Sequence, residues 1–441
     1  MTVEGARPRR TVLYTALWGL VALALVLPAD LPALALWGRH TLFFPIAVAF
    51  LALGLVATEG RRLFVLPRGL LAVYLALAAA LAWIVASALA LRAARPPVSF
   101  DLVAADAVRA VFAVVALETL RRMPRPHERV FALLVPLLVL EALALLAAVP
   151  GLGVRVQYYA YPGLARTSLG RVFSGIGDPN FTALALVVGI GGALGFALAG
   201  RRAAVRWGGL AAALVLAAAL VRTASLGGLA GFVVLLLLLL AGGRGLGLEA
   251  RVRRRLLAAL GVLVLLLIVL GGSVFWLRIR SEIRRTAANP MEFGDRRVDL
   301  LVGGVRMLVA HPWRGAGPGR VAALMLRYAP GSAAPSVPQT CHDFLVGLGD
   351  ESGLVPMLIV AVLLVLLLRV LGRRLAPALR GRAPPDPWGV VVAATFLATV
   401  IQALALPAQR DPYVWLVVVL TAAYLLTAAK EAGGRTGGPT V

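Results

Sequence analysis

Long apolar runs separated by short polar joints dominate the chain. Twelve stretches have about the 20 mostly apolar residues that a helix needs to cross a bilayer: near 11–28, 41–58, 69–91, 102–120, 130–149, 180–199, 207–222, 225–242, 256–277, 354–371, 388–407 and 412–429. The period-two alternation of a barrel strand is absent, and a helix satisfies all of its own backbone groups in lipid. The pattern therefore predicts an all-α integral membrane protein with about 12 transmembrane helices. The spans divide the chain into residues 1–277, with the first nine helices and a loop at about 150–179; 278–351, a large loop with room for short helices; and 352–441, with the last three helices and a tail.

Composition sharpens this by exclusion. Of 441 residues, 61% are hydrophobic and 15% charged, and the mean hydropathy of +0.90 rules out a soluble domain. One cysteine, Cys341, leaves no internal disulfide and no cysteine-built metal site. The four histidines, His40, His127, His311 and His342, lack HxH or HxxxH spacing, so no zinc site is expected; no cofactor is expected either. Arg7, Arg9 and Arg10 ahead of the first apolar run resemble a signal peptide. With no clean small-x-small cleavage site, that run reads as an uncleaved first span.

Charge orients the bundle. The chain has 44 basic and 20 acidic residues, a net charge of +24. A cytoplasmic N-terminus puts 25 of the 44 in the cytoplasmic joints and tails, including Arg61, Arg62, Arg121, Arg122, Arg201, Arg202, Arg253, Arg373 and Arg374. That is the positive-inside pattern for twelve spans with both termini cytoplasmic. Nineteen remain, and ten of these arginines crowd the loop at 278–351, beside seven acids. Arg155, Arg166 and Arg171 lie in the loop at 150–179. Guanidinium groups match phosphate oxygens well, so the external arginines point to a phosphate-bearing ligand or to anionic lipid head groups. Nucleic acid is not indicated.

Three motifs carry chemistry. In Arg171-Val-Phe-Ser-Gly-Ile-Gly177-Asp178-Pro179-Asn180, Asp178 can cap a helix that starts at Pro179. A helix start also favours an anion, over which Arg171 could fold. An ordinary cap explains Asp178 and Pro179 equally, but not Arg171. The second motif is Gly294-Asp295-Arg296-Arg297, an apolar helical stretch to Ala310, then His311-Pro312-Trp313-Arg314-Gly315-Ala316-Gly317-Pro318-Gly319-Arg320. Its alternate glycines could turn N–H groups toward an anion; a tight turn between two short helices accounts for them as well. The third is Cys341-His342-Asp343-Phe344 running toward Gly353. It predicts a short helix with His342 at its start, a group suited to taking a proton or to a purely structural role.

Charges inside the spans need partners. Asp106 and Arg109, three residues apart, can pair on one helix face, and Glu141 has no sequence neighbour to neutralise it. Tyr158, Tyr159, Tyr161, Trp313 and Tyr328 could stack sugars or form an interfacial aromatic belt.

In this order and on these spans, the motifs resemble the O-antigen ligase and polymerase superfamily of bacterial membrane glycosyltransferases. The resemblance covers roughly 165–370 and rests on Arg171 with Gly177 to Asn180, Arg297, Pro312 to Gly317, and His342-Asp343-Phe344-Leu345 with Gly353-Leu354. Two positions depart from the family: Asp343 replaces the usual asparagine, and Ser225-Leu226-Gly227 replaces Ser-Arg-Gly, leaving Arg222 one turn away. The resemblance implies a GT-C-like fold in the bacterial inner membrane and a metal-independent, inverting transfer on the periplasmic face. The donor would be a glycan on undecaprenyl diphosphate and the acceptor a sugar hydroxyl of a glycolipid or glycan. His342 would activate the acceptor, and Arg171, Arg297, Arg296 and Arg314 would hold the diphosphate. Asp178, Asn180, His311, Arg222 and Asp343 would support them. Twelve spans with a large loop after the ninth resemble the ligases. The Arg166/Gly177 and Arg306/Gly317 spacings occur in polymerases, but abundant arginine and glycine also produce them by chance. A transporter or lipid flippase, with Glu141 at mid-membrane, is the alternative of a different class.

Overall fold

The computed structural model describes residues 3–26, 43–60, 68–147, 155–158, 170–173, 178–243, 261, 295–329, 341, 343–379, 386–406 and 408–436. Helices occupy eleven of the twelve apolar stretches; the twelfth, 256–277, lies outside the described residues apart from 261. They are α1 (Val3–Val26), α2 (Phe43–Glu59), α3 (Arg68–Ala90), α4 (Phe100–Leu120), α5 (Pro126–Ala147), α6 (Pro179–Ala199), α7 (Ala203–Thr223), α8 (Leu226–Gly243), α12 (Leu354–Leu379), α13 (Pro387–Ala403) and α14 (Pro412–Thr436). Three shorter helices, α9 (Asp295–Ala310), α10 (Val321–Tyr328) and α11 (Phe344–Ser352), precede α12, and a single 3₁₀ turn, Ala408–Arg410, precedes α14.

Among the described residues five helices, α3, α5, α6, α7 and α12, contain segments long and apolar enough to cross a membrane. The protein is a helical bundle of membrane-protein type. The all-α expectation missed one feature: β1 (Arg155–Tyr158) and β2 (Gly170–Phe173) pair antiparallel, with Gln157 opposite Arg171. Four residues per strand are too few for a period-two pattern to stand out from a loop.

Burial separates centre from rim. In α6, 83% of the apolar window is buried, against 17% in α12. Glycines let neighbours close on α6: a Cβ at Gly191 would strike Thr395 of α13, one at Gly192 Phe131 of α5, and one at Gly195 Trp388. Small residues at such crossings replace the hydrophobic drive that lipid removes. Exposed Leu358, Val362, Val365, Leu366 and Val370 give α12 an apolar outer face suited to lipid. Outside the main core, Leu300, Met307, Ala316, Val321, Met325, Ala329 and Cys341 form a second small apolar cluster joining α9 and α10 to the segment before α11.

Asp-Pro pairs start three helices, with proline at a position whose N–H has no helical acceptor. Asp178 Oδ1 accepts from Asn180 N at 2.6 Å, and Asp411 Oδ1 from Tyr413 N at 2.8 Å. Asp386 occupies the same position before α13 but makes no capping bond.

Charges gather at both ends of α4. At its C-terminal end, Glu118 takes Arg121 at 2.5 Å, Arg122 and the Tyr74 hydroxyl at 2.6 Å. Nearby, Glu59 pairs with Arg10 at 3.2 Å and Arg122 at 3.8 Å. Arginines assigned to one side from the charge count thus share one end of the bundle. The candidate site lies at the other.

Candidate functional site

The start of α6 is tied to two other helices. Asn180 Oδ1 accepts the Ser225 hydroxyl at 2.8 Å, and its carbonyl accepts Gln402 Nε2 of α13 at 3.2 Å. Ser225 Oγ also accepts Gly228 N at 3.2 Å, capping α8. Strand β2, which carries Arg171, packs against α6 and α7. Arg222 is exposed in the last turn of α7, where a cation suits the helix dipole. The first free N–H of α6 is taken by Asp178, so the cap is formed and that donor is not open to an external anion.

The glycine-rich turn after α9 folds onto the end of α11. Gly315 N donates to the His311 carbonyl at 2.9 Å, Ala316 N to that of Asp350 at 2.6 Å and Gly317 N to that of Glu351 at 2.9 Å. Gly319 N donates to Glu351 Oε1 at 3.3 Å. The expectation that these glycines point N–H groups at an external anion is corrected: carbonyls and an internal carboxylate use them, and the turn docks two short helices. Gly315 has φ +64, and a Cβ there would collide with the Glu351 and Ser352 backbone. Gly315→Ala is therefore expected to cost more than about 1 kcal/mol and to lower the thermal unfolding midpoint. Gly208→Ala, with nothing within 4 Å, should leave it unchanged or slightly raised.

The third segment follows the same interface. Asp343 caps α11 by accepting from Val346 N at 2.8 Å. Burial raises its carboxyl above the usual range, against the N–H groups of Val346 and Leu345. Cys341 is fully buried, and a Cβ at Gly304 in α9 would lie 2.9 Å from its Sγ. Burial pushes the thiol well up, which removes it as a nucleophile at neutral pH. His342 lies outside the described residues, as do the side chains of Arg171, Arg296 and Arg297. Arg314 is exposed in the glycine-rich turn, and His311 Nε2 lies 2.9 Å from the Tyr328 hydroxyl.

Beneath the turn sits an ion cluster. Arg410 Nε and Nη2 bind Asp106 Oδ1 and Oδ2, each at 2.9 Å, and Nη2 also binds Glu351 Oε2 at 2.5 Å. The expected Asp106–Arg109 pair is corrected by this geometry: both Asp106 oxygens go to Arg410. Arg109 donates through Nε to the Arg410 carbonyl and through Nη1 to that of Ala105 at 2.7 Å. Arg320 Nη1 and Nη2 donate to the carbonyls of Ala316 and Arg95.

Compared with known proteins, the chain matches no family model and no curated sequence.

Asp350 adjoins the cluster, fully buried, with neither carboxylate oxygen hydrogen-bonded among the described residues. Burial, and then the charge of Glu351, raise its carboxyl well above the ordinary range. The group is neutral over pH values at which the unfolded chain has released the proton, so stability falls as pH rises from the ordinary carboxylate range toward the raised value. Asp350→Asn should flatten this slope in thermal midpoints taken between pH 5 and 8. An unchanged slope would place it in another group.

Sequence reasoning missed Arg410, Glu351, Asp350, Ser225 and Gln402 as site-forming groups. Glu351 and Asp350 counted only as acids offsetting nearby arginines, although their place just before Gly353 was visible. Arg410 is 304 residues from Asp106, and nothing local links them.

Proposed function

We propose that the protein is an inner-membrane glycosyltransferase of GT-C type, similar to the O-antigen ligases. It moves a glycan from undecaprenyl diphosphate to an acceptor sugar hydroxyl on the periplasmic face, with inversion and without a metal ion. The observation that carries this reading is a chain of pairwise contacts that links the motif-bearing segments. Asn180 contacts Gln402 of α13; the 3₁₀ turn after α13 packs on α11; α11 packs on the glycine-rich turn and on α9. Arg171 stands on β2 against α6, Arg297 on α9 and Arg314 in the glycine-rich turn, all segments within this chain of contacts; His342 is next to Asp343 in the sequence.

The chemistry follows. As the acceptor oxygen attacks the anomeric carbon from the face opposite the leaving group, His342 takes its proton. The glycosidic bond to the diphosphate breaks, and the bonding pair leaves as negative charge on the lipid diphosphate. Arg171 and Arg297, with Arg296 and Arg314 beside them, stabilise that charge, while Asp178, Asn180, Arg222, His311 and Asp343 brace the segments. The test is reconstitution of the purified protein with undecaprenyl-diphosphate-linked glycan and a glycolipid acceptor, with and without chelator. A glycosylated acceptor formed equally in both supports the reading. Lengthening of the donor glycan alone would make it a polymerase, and a requirement for added divalent ion would remove the metal-independent mechanism.

A further inference from the structure

At the opposite end of the bundle, where α6 ends and α5, α7 and α13 begin, lies an open cavity of about 560 Å³. That volume is in the range of small-ligand sites, about 300–1,000 Å³. Its polar lining among the described residues includes two guanidinium groups, Arg125 and Arg201, and two carboxylates, Glu128 and Asp386. Glu128 lies 3.7 Å from Arg125. Asp386 heads α13 without capping it; its Oδ2 accepts the Tyr424 hydroxyl at 2.6 Å instead. His127, nine-tenths buried, also lines the cavity, and its Nδ1 has no hydrogen-bond partner among the described residues.

We propose that this cavity holds the head group of a phospholipid carrying a phosphate and a primary ammonium, the phosphate on Arg201 and Arg125 and the ammonium on Asp386. Three observations favour that occupant. The cavity lies where the apolar segments of α5, α6 and α7 end, the level at which polar head groups meet a membrane-crossing helix. Beside it, Val205 of the lining and the neighbouring Trp207 on α7 are exposed and give an acyl chain an apolar surface. Two cations and two carboxylates, with Glu128 already beside Arg125, suit a zwitterion, whereas an anionic head group would be repelled by the Asp386 carboxylate. A quaternary ammonium has no N–H to give Asp386, so a primary ammonium is the better match. The inference uses none of the residues in the proposed transfer site.

The test is native mass spectrometry of the full-length protein with phosphatidylethanolamine, phosphatidylglycerol and phosphatidylcholine of the same acyl chains. The expected result is that wild type retains phosphatidylethanolamine over both others by about fivefold or more, the scale of one charge-assisted hydrogen bond. Asp386→Asn, which keeps size and an acceptor for Tyr424, should bring phosphatidylethanolamine down to the level of phosphatidylcholine. Arg201→Gln, at an exposed position, should weaken all three. Equal retention of the three lipids by wild type, or an unchanged preference in Asp386→Asn, would overturn the proposal.

Discussion

Replacing Arg410 by methionine is expected to destabilise the folded protein by about 3–5 kcal/mol, because it leaves two buried carboxylates without their shared counter-ion. The side chains of Asp106 and Glu351 are only 9% and 5% exposed, so water cannot replace the guanidinium without opening the bundle. The expected readout is a large fall in thermal midpoint and in the yield of monodisperse protein. Arg410→Lys should be intermediate, since an ammonium cannot hold both Asp106 oxygens and Glu351 in one plane. Asp106→Asn combined with Glu351→Gln should recover much of the loss in the Arg410→Met background, because no charge then remains to be paired. A methionine variant as stable as wild type would mean that the cluster is open to water.

The second large effect is on chemistry. His342→Ala should lower the transfer rate by about 10²–10⁴, the usual worth of a positioned general base, with donor affinity little changed. Arg297→Ala should lower it by about 10²–10³, comparable to losing one donor to a developing negative charge. Arg297→Lys should recover part of this, since it restores the charge without the planar fork. Stopped-reaction kinetics at saturating donor, on variants matched to wild type by thermal midpoint, separates these losses from misfolding.

Much of the architecture was legible because each membrane-crossing helix needs its own long apolar run, and those runs do not depend on tertiary context. The Asp178-Pro179 helix start was equally local: a cap acts within three residues. What the sequence did not reveal is non-local. The partner of Asp106 is Arg410, 304 positions away, rather than Arg109 three positions away; spacing on one helix shows which pair can form, not which competitor offers two parallel hydrogen bonds. The glycine-rich turn was legible as a turn, but the destination of its N–H groups depended on α11 arriving against it. Asp350 was hidden among other acids until burial separated it from them. The charge count set apart the external arginines as a group, and only the motifs and the resemblance picked Arg171 and Arg297 from them, so Arg410, outside every motif, stayed one more external cation.

The central claim is transfer of a glycan from a lipid diphosphate by these external arginines and histidine. It is tested most directly by following, in one proteoliposome assay, acceptor-dependent release of undecaprenyl diphosphate by the wild type, His342→Ala and Arg297→Ala proteins. The expected result is one lipid diphosphate freed per glycan transferred by wild type, and near loss of both products in each variant. Release at the wild-type rate in both variants, or no acceptor-dependent release by the wild type, would contradict it.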